Sequence, residues 1–430
     1  MSAVVETPAT TAMPEQRRFP RGPLIISIIA VVGSFLCVLL APAGKKTVFQ
    51  FALGEDSVKT FISIPNWAVD AKTGAVIFGI ISVSLAFLTW VTRKQKGLTL
   101  ALMGFSMYAL LMAFMCVVAA GKNTLVPVTG LLQGSLLLAI PLIYGAMSGV
   151  LSERSGVINI NIEGQLLLGA FVAAIVATQF HNAYIGLLAA PLGGLFLGLL
   201  LAMFATKYFV DQVVVGVVLN VLAVGLTSFL YGVLLAPKQD QWNTPPTLSH
   251  LNIPLLSKIP VIGPIFFQQS IIVYLMYVVV IAVQFWLFHT RWGLRLRAVG
   301  EYPQAADSVG IKVNRTRFRT VLIASMVAGL GGAYLTIGSS GPFGKEMTSG
   351  KGFIALAAVI FGRWTPLGSL GAALLFGFAD QLQNVLSIIG TPIPSQFLLM
   401  APYVATIFAV AGLVGKVRAP GADGIPFRKS

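Results

Sequence analysis

The sequence predicts an all-α, polytopic membrane protein whose helices cross the bilayer about ten to twelve times. Of its 430 residues, 56% are hydrophobic and only 10% are charged, whereas about a quarter of the residues in soluble proteins are charged. Apolar runs of roughly 20 residues recur along the chain, and each is long enough to cross the hydrocarbon core as a helix. The runs are continuous rather than alternating, which favours helices over the strands of a membrane barrel.

Two of the candidate membrane segments depart from the ordinary pattern. Residues 352–362 would form a helix about 16 Å long, too short for a hydrocarbon core about 30 Å thick. Residues 157–180 are long enough, but their first residues are polar. Both segments indicate broken or re-entrant helices, and a Leu-Gly-Ala triplet accompanies each, so the chain contains a possible internal repeat. The other segments are 24–40, 74–91, 98–120, 131–150, 184–206, 213–235, 271–288, 320–338, 366–386 and 395–414.

A set of polar residues at the start of 157–180 is the candidate site inside the membrane. Its members are spaced two apart: Asn159, Asn161, Glu163 and Gln165. A broken or extended segment would point them the same way, whereas a regular helix would spread them over more than one face. Two interpretations stay open, because such groups in lipid face either protein or a water-filled path. They line the path of a solute, or they join helices, with Glu163 paired to Arg154 or capping a half-helix.

Asn220, near the start of residues 213–235, belongs to a second polar set. A contact between helices is its more ordinary role, and lining of the same path is the alternative. Because the polar inventory inside the membrane consists mostly of neutral amides, it suits a neutral, hydrogen-bonding solute better than a strongly charged ion.

Residues 291–319 form the most basic stretch, which we call the basic segment; it holds seven of the 29 Lys and Arg residues. Within it, Pro303 is typical of a first helical residue and Gly310 of the residue just past a helix end. A helix of about two turns is marginal on its own in water, so it needs a surface to dock on. The segment is therefore either a loop anchored at lipid headgroups or a docking element for a soluble partner.

The net charge of +15 does not indicate nucleic-acid binding, because the Lys and Arg residues cluster beside apolar runs. Most of them fall in the tails and in every second loop, which places both termini and the basic segment in the cytoplasm. The polar tail 1–23 and the basic tail 416–430 are then cytoplasmic, and the long loops 41–73 and 236–270 lie outside. The outer loops are expected to be irregular or to contain short interfacial helices.

No catalytic, metal-binding or cofactor motif is visible, so an enzyme is not expected. Cys37 and Cys116 lie within apolar runs and indicate neither a disulfide framework nor a metal site. Residues 338–346 superficially resemble a phosphate-binding loop, but the glycine spacing is one too long and Glu346 replaces the hydroxyl that would bind magnesium.

Three ordered stretches resemble motifs of the ABC-importer permeases that handle branched-chain amino acids, ribose-type sugars and nucleosides. They are residues 152–160 (SERSGVINI), 290–301 (TRWGLRLRAVGE) and 352–362 (GFIALAAVIFG). The first two are most similar to the nucleoside branch, which pairs with a lipoprotein of the basic-membrane type. The resemblance implies a permease core at 131–415 with a cytoplasmic coupling loop at 290–319. Residues 24–130 are a transmembrane extension that the shortest members of the family lack.

The resemblance also implies a function and a set of partners. The chain would be the permease subunit of a bacterial inner-membrane importer for nucleosides, with ribose-like sugars, branched-chain amino acids or a secondary transporter as alternatives. It would work with a cytoplasmic ATP-binding subunit, a second permease (identical or different) and an extracytoplasmic substrate-binding lipoprotein. The short helix would enter a groove on the ATPase, although lipid headgroups explain the arginines equally well. The residues implied in coupling are Arg295, Arg297, Gly300, Glu301, Pro303, Ala305, Ala306 and Gly310.

Overall fold

A computed structural model describes residues 21–51, 61, 64–122, 124–391, 397, 400 and 418–428. Among these residues, ten helices are long and apolar enough to cross a membrane, which confirms the predicted polytopic helical architecture. The predicted segment 395–414 lies almost wholly outside the described residues. The helices are α1 Arg21–Leu40, α2 Ala71–Val91, α3 Lys96–Val118, α4 Val128–Arg154, α5 Ile162–Gln179, α6 Ala183–Thr206, α7 Gln212–Leu230, α8 Gln239–Trp242, α9 Ile271–His289, α10 Arg291–Glu301, α11 Pro303–Ser308, α12 Val313–Leu335, α13 Lys351–Phe361 and α14 Pro366–Ile389.

The chain divides into two compact units, of which the smaller comprises residues 1–47 and 68–123. In it, α2 packs against both α1 and α3. Two serines join α2 to α3: Ser82 Oγ donates to the carbonyl of Ser106 at 2.9 Å, and Ser106 Oγ donates to the carbonyl of Ser82 at 2.8 Å. Hydrogen bonds of this kind are a common way to join helices in lipid, where no hydrophobic force acts between them.

The larger unit comprises residues 48–67 and 124–430 and contains the remaining helices. Its centre is α4, which packs against α12, α13 and α14, while α12 also packs against α5 and α6. Within the most apolar part of α4, 83% of the residues are buried. A helix that is apolar all round and buried to this degree must be surrounded by other helices, so α4 positions the elements that follow it.

The predicted interruptions are present, with different boundaries. Residues 155–161, which we call the break, are not helical, so the predicted segment 157–180 is a helix only from Ile162 onward. The short helix α13 is 11 residues long. The segment predicted at 320–338 begins earlier, at Val313, because the first turns of the helix carry arginines and an estimate from apolar residues alone stops short of them.

The loops contain short strands in addition to the expected irregular structure. The strand β1 (Lys46–Gln50) pairs in parallel with β3 (Val126–Pro127), with Phe49 opposite Val126. The segment 236–270 contains α8 and an antiparallel pair of strands, β4 (His250–Asn252) and β5 (Gln268–Ser270), with Leu251 opposite Gln269. A further strand, β2, covers Trp67–Asp70.

Candidate functional site

The break is held in place by side chains from α4 and α7. Ser152 Oγ donates to the carbonyl of Val157 at 2.7 Å, and Gln212 Oε1 accepts from the backbone N–H of Ile158 at 2.8 Å. Irregular backbone at membrane depth is tolerated only where its polar groups find partners inside the protein. In the sequence, Gln212 belongs to the same polar set as Asn220, together with Asp211, whose carboxylate accepts from two backbone N–H groups at the start of α7.

Asn220 joins α7 to the end of the break and to the start of α5. Its Oδ1 accepts from the backbone N–H of Gly164 at 2.8 Å, and its Nδ2 donates to the carbonyl of Ile160 at 2.9 Å. The amide therefore acts as a clamp across the last residues of the break and the first turn of α5. Both polar atoms of this amide therefore have backbone partners within the chain.

Asn159 and Gln165 form a reciprocal amide pair. Asn159 Nδ2 donates to Gln165 Oε1 at 3.1 Å, and Gln165 Nε2 donates to Asn159 Oδ1 at 3.2 Å. Asn159 Nδ2 also lies 3.2 Å from Ser148 Oγ on α4. Both amides are completely buried, so the pair ties the break to the helices on either side of it. The sequence does not identify Ser148 as a member of the site, because a lone serine in an apolar helix is not distinctive.

Glu163 caps the short helix α13. Its two carboxylate oxygens accept from the backbone N–H groups of Gly350 at 2.8 Å and Gly352 at 2.5 Å. A side chain at position 352 would not fit, because its Cβ would lie 2.3 Å from the backbone nitrogen of Glu163. Of the two structural interpretations, helix capping is therefore found, and Arg154 instead lies 3.8 Å from Glu301. The first turns of α5 and α13 meet at this carboxylate, which is stabilised there by both helix dipoles.

Asn161 differs from the other polar residues of this region. Its side chain is completely buried, and neither its Oδ1 nor its Nδ2 has a hydrogen-bond partner among the described residues. An unsatisfied buried polar group costs about 1–3 kcal/mol, so an amide at this position carries a cost that no contact with the described part of the chain offsets. Among the described residues, it is the polar side chain of the predicted path whose hydrogen-bonding capacity is entirely unused.

The basic segment is largely helical, whereas a single short helix was predicted. The helix α11 begins at Pro303, and Gly310 follows it with φ of +84°, a conformation that favours glycine. The preceding helix α10 is capped by Thr290, whose Oγ1 accepts from the backbone N–H of Gly293 at 3.1 Å. Sequence reasoning missed α10 because its apolar face is narrow: it buries Leu296 and Val299 between arginines.

The two small residues of α11 face in different directions. Ala306 is only 3% exposed and packs against Val299, Val313 and Phe427. Ala305 is exposed, and Val309, four residues further along, is 75% exposed. Ala306 therefore holds α11 against the protein, and Ala305 belongs to the outward surface.

The end of α10 lies against the end of α4. A Cβ at Gly300 would lie 2.1 Å from the carbonyl oxygen of Arg154, so glycine is required for this approach. Glu301 Oε1 lies 3.8 Å from Arg154 Nη1, and Arg154 Nε donates to the carbonyl of Trp364 at 2.8 Å. This contact places the basic segment directly beside the break, which starts at the next residue, Ser155.

The arginines of α10 have separate environments. Arg297 lies over the ring of Phe288, with its Cζ 5.1 Å from the ring centroid. Arg295 lines a cavity of about 530 Å³ between α10 and the start of α12. The other lining residues in the described part of the chain include no acid: Trp292, Val309, Gly310, Ile311, Lys312, Arg315, Thr316 and Arg319. The cavity is therefore a strongly positive recess beside the exposed face of α11.

Known proteins resemble most of this chain. Residues 131–414 match the family described as branched-chain amino acid transport system / permease component. The guanosine ABC transporter permease protein NupQ of Bacillus subtilis is 41% identical over 311 residues, which are 70% of this chain and 96% of that protein. The nucleoside ABC transporter permease protein NupC of Lactococcus lactis is 43% identical over 305 residues, which are 69% of this chain and 95% of that protein.

A more distant relative is the putative glucose ABC transporter permease protein TsgC13 of Haloferax volcanii. It is 33% identical over 260 residues, which are 59% of this chain and 77% of that protein. No solved structure matches the chain. Because the family match covers well over half of the chain and includes the break, α13 and the basic segment, this multi-pass membrane protein belongs to the permease-component family of branched-chain amino acid transport systems.

Proposed function

We propose that the chain is the membrane-spanning permease subunit of an ATP-binding-cassette importer that carries nucleosides. The support for the substrate class is the similarity to two permeases named for guanosine and nucleosides, at 41% and 43% identity. The observation in the structure that carries the proposal furthest is the capping of α13 by Glu163, together with the nearby amide of Asn161, which has no hydrogen-bond partner within the described ranges.

The capping by Glu163 favours a neutral solute. Transporters often use the positive N-terminus of a half-helix to hold the carboxylate or phosphate of an anionic substrate. At the N-terminus of α13 the chain's own carboxylate already occupies that place. A branched-chain amino acid or a nucleotide would have to displace it, whereas a nucleoside or a simple sugar would not.

Asn161 is the residue that we assign to solute contact. An amide offers one acceptor and two donor hydrogens, a combination that matches the edge of a nucleobase or the hydroxyls of a ribose. The polar groups of Asn159, Glu163, Gln165 and Asn220 are engaged within the chain. We therefore assign to these four residues the role of holding the backbone along the path in place. Asn161 would form hydrogen bonds with the solute that it does not form within the described chain.

The remaining proposals concern partners and orientation. By the positive-inside rule, the termini and the basic segment would lie in the cytoplasm, where α11 would present Ala305 and Val309 to a groove on an ATP-binding subunit. Arg295, beside the positive cavity, would meet acidic groups at the rim of that groove or the headgroups of anionic lipid. A second permease subunit and an extracytoplasmic binding lipoprotein would complete the importer.

Uptake of labelled guanosine, adenosine and uridine tests the substrate class, in proteoliposomes that contain the chain with its partner subunits. The expected result is uptake that requires ATP and is reduced by an excess of unlabelled nucleoside, but not by leucine. Competition by glucose or ribose without competition by nucleosides would favour the sugar alternative. Equal uptake in the absence of the ATP-binding subunit would exclude an ABC importer and favour a secondary transporter.

A further inference from the structure

Residues 418–428, which we call the tail segment, return to the basic segment. The backbone N–H of Ala422 donates to the carbonyl of Gly300 at 2.8 Å, and the backbone N–H of Gly421 donates to Glu301 Oε2 at 3.1 Å. These two contacts join the tail segment to the last turn of α10. Because both contacts use backbone groups of the tail segment, they fix the conformation of this segment against α10.

The far end of the tail segment contacts α11 and α12. Phe427 packs in a small apolar cluster with Val299, Ala306 and Val313. Its carbonyl accepts from Asn314 Nδ2 at 3.3 Å. The tail segment therefore bridges the two helices of the basic segment and the start of the membrane helix that follows. Any movement of α11 against α12 has to disrupt this cluster or carry the tail segment with it.

Arg317 connects the tail segment to the break. It is only 1% exposed. Its Nε donates to the carbonyl of Ser155 at 3.1 Å, its Nη1 to the carbonyl of Ile425 at 2.7 Å, and its Nη2 to the carbonyl of Ala422 at 3.3 Å. The planar fork of a guanidinium can hold three separate carbonyls at once, which the single ammonium of a lysine reproduces poorly.

Burial of Arg317 is costly, so its contacts require an explanation. Removing a guanidinium from water carries a penalty that must be offset by hydrogen bonds and by nearby negative charge. The acid beside it is Asp423, a half-buried residue with one carboxyl oxygen that has no hydrogen-bond partner among the described residues. A buried charge held by carbonyls of two non-helical segments, beside an acid with an unsatisfied oxygen, is a poor arrangement for stability alone.

We propose that the tail segment is a strap that makes the basic segment and the break move together, and that Arg317 is the positioning residue of this strap. The carbonyl of Ser155 accepts a hydrogen bond from Arg317. Ser155 is the first residue of the break, which also contains Asn159 and Asn161. A displacement imposed on α11 reaches the break through the apolar cluster at Phe427, the backbone contacts at Ala422 and the guanidinium. The inference rests on the proposed function insofar as an ATP-binding subunit supplies that displacement.

The experiment compares variants in the complete reconstituted importer. The variants are Arg317→Gln, Arg317→Lys, Ala422→Pro, a truncation that removes residues 418–430, and the combination of Arg317→Gln with the truncation. Arg93→Gln is the matched control, because Arg93 is an exposed arginine beyond the end of α2 and its replacement removes the same charge. The primary readout is the amount of nucleoside transported per ATP hydrolysed, with assembly of the complex measured in parallel.

The strap predicts that Arg317→Gln and the truncation each lower this ratio by about tenfold, while ATP hydrolysis continues and the control behaves like the wild type. The ratio for Arg317→Lys should lie between those of the wild type and Arg317→Gln. The combined variant should have a ratio no lower than either single change, because both changes remove the same connection. Wild-type ratios in the truncation and in Arg317→Gln would overturn the inference. If Arg317→Gln fails to assemble, the transport ratios of Ala422→Pro and of the truncation test the strap instead, since both variants leave Arg317 and the spanning helices intact.

A second readout separates this inference from the proposed substrate. Hydrogen exchange of residues 155–165, with and without a non-hydrolysable ATP analogue, reports movement of the break whichever solute is carried. Nucleotide-dependent exchange in the wild type that is lost in the truncation supports the strap even if no nucleoside is transported. Nucleoside transport together with unchanged exchange in the truncation would keep the proposed function and reject the strap.

Discussion

The carboxylate of Glu163, in the first turn of α5, accepts a hydrogen bond of 2.5 Å from the backbone N–H of Gly352, in the first turn of α13. Two helices that are far apart in sequence thus begin at one buried carboxylate. The negative charge of this carboxylate balances the positive ends of both helix dipoles, so the region beside the break needs no anion from elsewhere.

Replacement of Glu163 is expected to destabilise the larger unit. Glu163→Ala leaves the buried N–H of Gly352 without its acceptor, at a cost of about 1–3 kcal/mol, and removes the acceptor of the partly buried N–H of Gly350 as well. Glu163→Gln keeps one acceptor oxygen and should cost less. Thermal unfolding of the purified protein in detergent, followed by tryptophan fluorescence, measures the difference. Glu346→Gln is the control, because Glu346 is exposed; equal effects at both positions would contradict the capping role.

Asn161 and Asn220 should respond in opposite ways to replacement by leucine. Asn161→Leu removes an amide that has no hydrogen-bond partner in the described part of the chain, so the thermal stability should be unchanged or higher, while nucleoside uptake should fall by at least about tenfold. Asn220→Leu removes two hydrogen bonds to the backbone and should lower the stability. Both quantities are measured on the same preparations. Normal uptake by Asn161→Leu would remove Asn161 from the path.

The two alanines of α11 provide a test of the docking surface. Ala305→Glu changes an exposed position, so the fold should persist while association with the ATP-binding subunit, measured by co-purification, decreases. Ala305→Ser keeps the small size and should behave like the wild type. Ala306→Glu places a charge in the cluster with Val299 and Phe427 and should lower the thermal stability as well. Full association of Ala305→Glu would show that another surface binds the ATPase.

Docking of the tail segment should depend on pH. Burial raises the pKa of Asp423 from 3.8 to about 7, although the positive charge of Arg317 and the backbone N–H of Gly424 act in the opposite direction. The facing charged groups are Arg317 on α12 and Glu153 on α4. The docked state therefore holds a proton that the undocked segment releases, so docking loses stability as the pH rises from about 4 to about 7.

Hydrogen exchange of residues 418–428 at pH 6 and pH 8, corrected for the intrinsic pH dependence of exchange, measures this effect. Protection should be greater at pH 6, and Asp423→Asn, which stays neutral at both values, should remove the difference. Asp307→Asn is a control on α11 with the same chemical change. A pH dependence that persists in Asp423→Asn would assign the titration to another group.

The contacts at the break explain why the sequence predicted some features and not others. The apolar runs, the short length of α13 and the helix bounded by Pro303 and Gly310 follow from local rules of length, hydrophobicity and backbone conformation. The roles of Asn159, Glu163 and Asn220 did not follow, because an amide or carboxylate in an apolar run is equally consistent with a solute and with another helix. Their partners lie up to 189 residues away in the chain, beyond any local pattern.

The amino-acid sequence by itself determined the class of this protein: hydrophobic runs of membrane length require helices, and clustered charges require an interface beside them. The tertiary structure alone decided which polar groups are satisfied. It engaged Asn220 and Glu163 with distant backbone, left Asn161 without a hydrogen-bond partner among the residues that the structure describes, and brought the tail segment to Arg317. The physical reason is that hydrogen bonds inside a membrane protein depend on which helices meet, and that is settled only when the whole chain has packed.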